Sequence, residues 1–292
     1  MRIAVVGLGG VGGYISASLA KSGSNVVGFA RGEHLLEIQK SGITIVEDET
    51  SWTQPLNAQQ LDDAEGHFDI VLFCVKSYDL EESYKKIASC IDENSILVSF
   101  SNGVSNGELL RELSSSIVLD ACVYILSHIE KAGVIRKQGK VFAIVFGGDE
   151  EATQKLHSIF DNASLRNKTP EDIQTALWKK YIFISAFATL TSYYNETIGY
   201  IYEYHKEEAK ALLEEIALVA KSLGVEIFDE VEKAMLTASK VPYKSSTSMY
   251  LDFKNHKKSE LETLSGYIVD MGRNYNVSTP IMNKMYTKLR TF

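Results

Sequence analysis

The sequence predicts an α/β N-terminal half followed by an all-helical C-terminal half, on three observations. Short apolar runs alternate with helical patterns up to roughly Asp149, the texture of a parallel sheet with crossover helices. Beyond that point 3.6-residue periodicity takes over and strand-like runs nearly vanish. Between the first apolar run and the first helical pattern lies a glycine-rich turn, Gly7-Leu8-Gly9-Gly10-Val11-Gly12.

The expected strands are Ile3–Gly7, Asn25–Ala30, Ile70–Val75, Ile96–Phe100 and Ile117–Tyr124. Two β-rich segments within Val134–Phe146 flank Gln138-Gly139-Lys140, which reads as a hairpin reversing at the glycine. Leu165–Lys168 is a last short strand. Thr169-Pro170-Glu171-Asp172 then has the composition of a helix start: a capping hydroxyl, a proline suited to the first turn and two carboxylates favoured by the dipole. That helix is expected over Pro170–Tyr194. A second is expected over Ser259–Tyr275, with Leu261, Leu264, Ile268 and Met271 on one face, and a last one starts at Thr279-Pro280. The domain boundary is placed at 168/169.

The 292 residues suit two domains with a cleft between them, and 45% hydrophobic with 23% charged residues is ordinary globular composition. A net charge of -8 with scattered basic pairs (Lys85-Lys86, Lys179-Lys180, Lys257-Lys258) argues against a nucleic-acid partner, which needs a concentrated basic face. Three dispersed cysteines (Cys74, Cys90, Cys122) suggest neither a disulfide framework nor a metal site, and imply a reduced, cytoplasmic setting. No apolar stretch approaches a membrane span, so no membrane partner is expected. The oligomeric state stays open, with a homodimer as one alternative.

The glycine turn points to chemistry. After a strand and opening a helix (Val11, Ile15, Leu19), G-x-G-x-x-G is the phosphate turn of a Rossmann dinucleotide-binding domain. Gly7 allows the tight turn, Gly9 lets backbone approach the pyrophosphate, and Gly12 lets helix pack on strand. With Leu8, Gly10 and Val11, these residues present the helix N-terminus to the phosphates. At the end of the second strand, where an NAD-preferring domain carries an acid, stands Arg31. Its guanidinium suits the 2′-phosphate of NADP at about 1.5–3 kcal/mol; an ordinary surface arginine is the alternative, and neighbouring Glu33 leaves mixed cofactor use open. Lys76 and Asn102 follow strands at the edge where ligands bind in open α/β sheets; plain turn residues are the alternative.

Together these motifs resemble the ketopantoate reductase (2-dehydropantoate 2-reductase) family over essentially the whole chain: Gly7/Gly9/Gly12, Arg31, Val75-Lys76, Ser101-Asn102-Gly103-Val104, Leu177-Trp178-Lys179-Lys180, and Ser248 followed twelve residues later by Glu260. The resemblance implies an N-terminal Rossmann dinucleotide-binding domain, an all-helical C-terminal domain, NADPH as cofactor and a small 2-keto acid as substrate. It makes Lys180 the catalytic lysine, with Glu260 beside it, Ser248 on the substrate carboxylate, and Asn102 at the substrate and cofactor end of the cleft. Hydride delivery to a ketone builds alkoxide charge, which a lysine ammonium can stabilise and neutralise. Lys179 points about 100° away, so only one of the pair can serve.

This chain departs from the family pattern at two positions. Four and eight residues after Lys180 the family commonly carries asparagines that grip the substrate; here stand Ile184 and Ala188, with Asn195 further along. Two lost hydrogen bonds at about 0.5–1.5 kcal/mol each would weaken ketopantoate recognition roughly tenfold or more. The function that the resemblance implies is nonetheless reduction of 2-dehydropantoate to pantoate for pantothenate and coenzyme A synthesis. The alternatives are a related reductase of a more apolar 2-keto acid and an NADPH-binding sensor without turnover.

Overall fold

The computed structural model describes residues 1–291. It divides into two compact units: residues 1–101 with 105–173, and residues 102–104 with 174–292, of which Phe292 lies outside the described residues. The short segment Asn102–Val104 thus groups with the helical unit, although it follows a strand of the first.

The first unit is built on β1 (Arg2–Val6), α1 (Gly10–Lys21), β2 (Asn25–Phe29), α2 (Gly32–Ser41), β3 (Ile43–Glu47), β4 (Thr50–Gln54), β5 (Asn57–Gln59), β6 (Ile70–Phe73), α3 (Leu80–Ile87), β7 (Ile96–Ser99), α4 (Asn106–Leu113), β8 (Ile117–Lys131), β9 (Val134–Gly147), α5 (Glu150–Asn162) and β10 (Asn167–Lys168). The sheet order is β4-β3-β9-β8-β7-β6-β1-β2-β5, with β10 also on β9. From β5 to β8 every pairing is parallel. Strands buried on both faces read as continuous apolar runs, and β1, β6 and β7 do so. One face buries Ile3, Val5, Leu72 and Val98 with Ile15 and Leu19 of α1; the other buries Ala4, Val6, Val71 and Phe73 with Leu80 and Leu110.

The expected hairpin at Gln138-Gly139-Lys140 needs correction, and three strands are added. The β8–β9 reversal is the two-residue turn Ala132–Gly133, between paired Lys131 and Val134, with Gly133 at φ 73°. Gln138-Gly139-Lys140 instead lies inside β9: Ile125 pairs Phe142 while Ser127 pairs Lys137, so residues 138–141 bulge opposite Leu126, with Gly139 at φ 66°. Strands β3, β4 and β5 were not expected from sequence. The β-branched run Ile43-Thr44-Ile45-Val46 pairs in parallel with β9 and antiparallel with β4, through a turn where Asp48 takes φ 51°.

The second unit holds α6 (Ile173–Tyr194), α7 (Ile198–Tyr204), α8 (Lys206–Ser222), α9 (Glu230–Lys240), α10 (Ser248–Lys254), a π-helical segment Glu262–Gly266, α11 (Tyr267–Asn274) and α12 (Pro280–Leu289). Its core includes Ile182, Leu190, Leu212, Leu213, Ile216, Ile268 and Met282. Helix α6 starts at Ile173 rather than Pro170: β10 pairs with β9 up to Lys168, and residues 169–172 carry the chain from that strand into the helix. The helix expected over Ser259–Tyr275 begins only after Glu260 and widens into the π segment. Helix α12 starts at Pro280 as expected, but Thr279 makes no capping bond; the Glu215 carboxylate of α8 accepts from the Ile281 and Met282 N–H groups at 2.8 and 2.9 Å.

Candidate active site

The turn between β1 and α1 shows why each glycine stands where it does. Gly7 has φ 95°, and its N–H donates to the Phe29 carbonyl at 3.0 Å. A Cβ on Gly12 would lie 2.0 Å from the Gly7 carbonyl oxygen, and one on Gly10 would lie 2.5 Å from the Ser127 oxygen of β8. Gly9 differs: a Cβ there meets nothing within 4 Å. Backbone at Gly9 therefore borders open space, the condition for another molecule to approach closely. Leu8 is buried in the core, and Val11 packs against it from partial burial. The first turn of α1 carries no acidic side chain that would offset the positive end of its dipole. This cradle fits a dinucleotide pyrophosphate.

His34 of α2 also supports the turn, and sequence reasoning missed it. The Gly133 N–H donates to His34 Nδ1 at 3.0 Å, so Nδ1 is unprotonated and Nε2 carries the hydrogen facing the Leu8 carbonyl at 2.8 Å. A neutral imidazole thereby links the glycine turn to the β8–β9 hairpin. No sequence signal marks it, because its partners are backbone groups 26 and 99 residues away.

Arg31 is exposed and stands between β2 and α2, with exposed Glu33 in the first turn of that helix. Lys76 is partly buried, three residues beyond β6, where it opens the short turn Ser77–Asp79. Cys74 lies under the glycine turn, where burial pushes its thiol far above the usual range.

In the helical unit, three of the sequence candidates meet. The Lys180 ammonium on α6 donates to Asn102 Oδ1 at 3.2 Å, and Asn102 Nδ2 donates to Glu260 Oε2 at 3.4 Å. The Asn102 amide accepts from a cation on one side and donates to an anion on the other, which sets its orientation. Glu260 is only 3% exposed, so its carboxylate is a buried anchor. Lys179 points elsewhere: it is exposed, 3.8 Å from Glu230 on α9. Leu177 and Tyr181 beside Lys180 are buried and Ile184 is partly so, which roots the lysine in a packed face.

Ser248 is exposed as the first residue of α10. Its neighbour Thr247 meets Thr191 of α6, oxygen to oxygen, at 2.8 Å. Thr191 is eleven residues beyond Lys180 and falls on the same helical face as Ile184 and Ala188. That face is polar at its two ends and apolar between them. Sequence reading also missed the hydroxyls of Tyr181 and Ser185, both directed at the π segment.

Among the described residues no cluster of side chains could hold a metal ion, and no helix is long and apolar enough to cross a membrane.

The sequence matches the family described as Ketopantoate reductase PanE/ApbA over residues 3–150 and its C-terminal counterpart over residues 172–292. An uncharacterized oxidoreductase of Bacillus subtilis is 27% identical over 303 residues, covering 100% of this chain and 99% of that protein. A 2-dehydropantoate 2-reductase of Aquifex aeolicus is 28% identical, covering 99% and 96%. Among solved structures, a PanE/ApbA family ketopantoate reductase from Ralstonia eutropha superposes with TM-score 0.92 at 27% identity, covering 100% and 98%. A D-mandelate dehydrogenase bound to NADH and anilino(oxo)acetate superposes with TM-score 0.90 at 19% identity, covering 100% and 98%, which is a likeness of fold. With a glycine turn open at Gly9, a lysine held through Asn102 to a buried carboxylate, and both family halves matched in order, the chain belongs to the ketopantoate reductase family and is a nicotinamide-dependent oxidoreductase of the CH–OH class.

Proposed function

We propose that this protein reduces 2-dehydropantoate to pantoate with NADPH, and so serves pantothenate synthesis in the cytoplasm. The observation that carries the reading is the chain of bonds from Lys180 through Asn102 to Glu260, on the residues that the family resemblance names. The N-terminal domain, assigned to 1–168, holds the cofactor through Gly7 to Gly12, Arg31 and Lys76, and the helical domain, 169–292, holds the substrate. NADPH supplies the hydride. Lys180 polarises the ketone oxygen and donates a proton to it as negative charge develops, while Asn102 and Glu260 keep the ammonium aimed. Ser248 takes the substrate carboxylate.

A second reading rests on Ile184 and Ala188, one and two turns along the Lys180 face. An apolar face there favours a 2-keto acid with a larger hydrocarbon or aromatic side chain, and the fold likeness to a D-mandelate dehydrogenase is in keeping with that class. NADPH oxidation across a panel of 2-keto acids separates the readings. Highest kcat/KM with ketopantoate supports the first, and a preference for phenyl- or alkyl-substituted 2-keto acids supports the second. No turnover with any member, alongside tight NADPH binding, leaves a non-catalytic sensor and defeats both.

A further inference from the structure

Three hydroxyls at four-residue spacing on α6 face the π segment that follows Glu260. Tyr181 Oη donates to the Thr263 and Leu264 carbonyls at 2.8 and 3.1 Å, and Ser185 Oγ donates to the Leu264 carbonyl at 2.6 Å. Thr189 Oγ1 meets Ser265 Oγ at 2.7 Å. A π turn changes the bonding from four residues to five, which leaves carbonyl groups over at its junction with α-helix. Buried carbonyls need donors, and here side chains of another helix provide them. Tyr181 and Ser185 are both fully enclosed, and burial pushes the Tyr181 phenol well above its usual range, so it remains an O–H donor.

These contacts close a circuit that starts and ends on α6. Tyr181 and Ser185 hold the Leu264 carbonyl. The Leu264 N–H donates to the Glu260 carbonyl at 2.9 Å. The Glu260 carboxylate accepts from Asn102 at 3.4 Å, and Asn102 accepts from Lys180 at 3.2 Å. Lys180 and Ser185 are five residues apart on one rigid helix. The lysine stem is flexible, so the place of its ammonium depends on the far end of this circuit as much as on the helix. The Asn102–Glu260 bond is already long, and a shift of Glu260 by a few tenths of an ångström would break it.

We propose that Tyr181 and Ser185 are positioning residues for the reaction: by fixing the π segment they set the Glu260 carboxylate, and through Asn102 the Lys180 ammonium. This rests on the reading of Lys180 as proton donor. Core satisfaction alone would also explain the two hydroxyls, but that role affects folding stability and has no reason to act through Glu260.

Tyr181→Phe and Ser185→Ala each remove one oxygen. Both are measured in the wild-type and Glu260→Gln backgrounds by the single-turnover rate of NADPH oxidation with the best substrate of the panel, and NADPH affinity is titrated separately. Misplacement of a catalytic group predicts a fall of roughly 10- to 100-fold in the wild-type background, with NADPH affinity retained. In the Glu260→Gln background the same substitutions should change the rate less than about twofold, since coupled residues are not additive. Equal falls in both backgrounds, no fall in the wild type, or loss of NADPH binding in both variants would each overturn the proposal. Lys180→Ala distinguishes the underlying reading: if it leaves the rate unchanged, the proton-donor assignment itself fails. A Lys180-dependent enzyme indifferent to Tyr181 and Ser185 refutes only the positioning.

Discussion

The Lys180 ammonium donates to Asn102 at 3.2 Å, whereas Lys179, one residue earlier on the same helix, is exposed and 3.8 Å from Glu230. One residue of α-helix turns a side chain by about 100°, enough to give two identical groups different neighbours. Lys180→Ala should lower kcat by roughly 10²–10⁴-fold with little change in NADPH affinity. Lys179→Ala should stay close to wild type, because its pair with Glu230 is long at 3.8 Å and Glu230 keeps Lys233 at 2.8 Å. Steady-state kinetics of the two variants side by side check this, and a larger loss from Lys179 would reverse the assignment.

Arg31 leads into α2 on the exposed surface. If it meets the 2′-phosphate, Arg31→Ala should raise the Kd for NADPH roughly ten- to a hundredfold and leave that for NADH nearly unchanged. Fluorescence titration with both cofactors measures the ratio, and equal losses would remove Arg31 from the site.

Gly9 and Gly12 separate cofactor binding from folding. Gly9 borders open space, so Gly9→Val should leave the melting temperature of the cofactor-free protein almost unchanged while abolishing binding of both dinucleotides. A Cβ on Gly12 would sit 2.0 Å from backbone. Gly12→Ala should therefore lower stability by about 1–3 kcal/mol or more, and cofactor affinity with it. Thermal unfolding without cofactor distinguishes the two, and a stable Gly12→Ala protein would contradict the packing described.

A pH dependence is expected from Glu47. Burial alone would raise its carboxyl, but hydrogen bonds from Lys137 at 3.0 Å and Trp52 at 3.4 Å, the Lys137 charge and a bond from Tyr14 at 3.3 Å outweigh it and hold the group below the usual carboxylate range. Burial, then the Glu47 charge, pushes the Tyr14 phenol up to about 12, so it stays a donor at every working pH. A carboxyl depressed on folding adds stability above its unfolded value, about 4.3, and that stability is lost as pH falls through the depressed folded value. Glu47→Gln should thus be less stable than wild type at neutral pH, with the gap narrowing in acid. Urea unfolding from about pH 7 to pH 3 tests the sign, and a gap that widens in acid would refute it.

The strand–turn–helix over residues 2–21 is legible in the sequence because its signals are local. An apolar run, glycines at three fixed positions and the Val11, Ile15, Leu19 period lie within one short stretch. The same holds for the change of texture between the sheet-bearing half and the helical half. The reversal between β8 and β9 is not local. Gly133 and Gly139 both take positive φ, and only the register of β8 against β9 decides which of them turns the chain and which bulges. Strand β3 likewise exists as a strand because β9, about ninety residues later, offers it an edge.

By itself the sequence determined the change from a sheet-bearing to a helical half and the glycine turn between β1 and α1. The tertiary structure decided that Lys180, Asn102 and Glu260 touch, across separations of 78 and 158 residues, because no periodicity encodes a contact at that range. It also decided the π segment: Leu261, Leu264 and Ile268 fit an ordinary helix as a pattern, and only the donors on α6 make the wider turn tenable by meeting its spare carbonyls. Local preference sets what a segment can form, and the partners brought to it by the fold set which of those forms is kept.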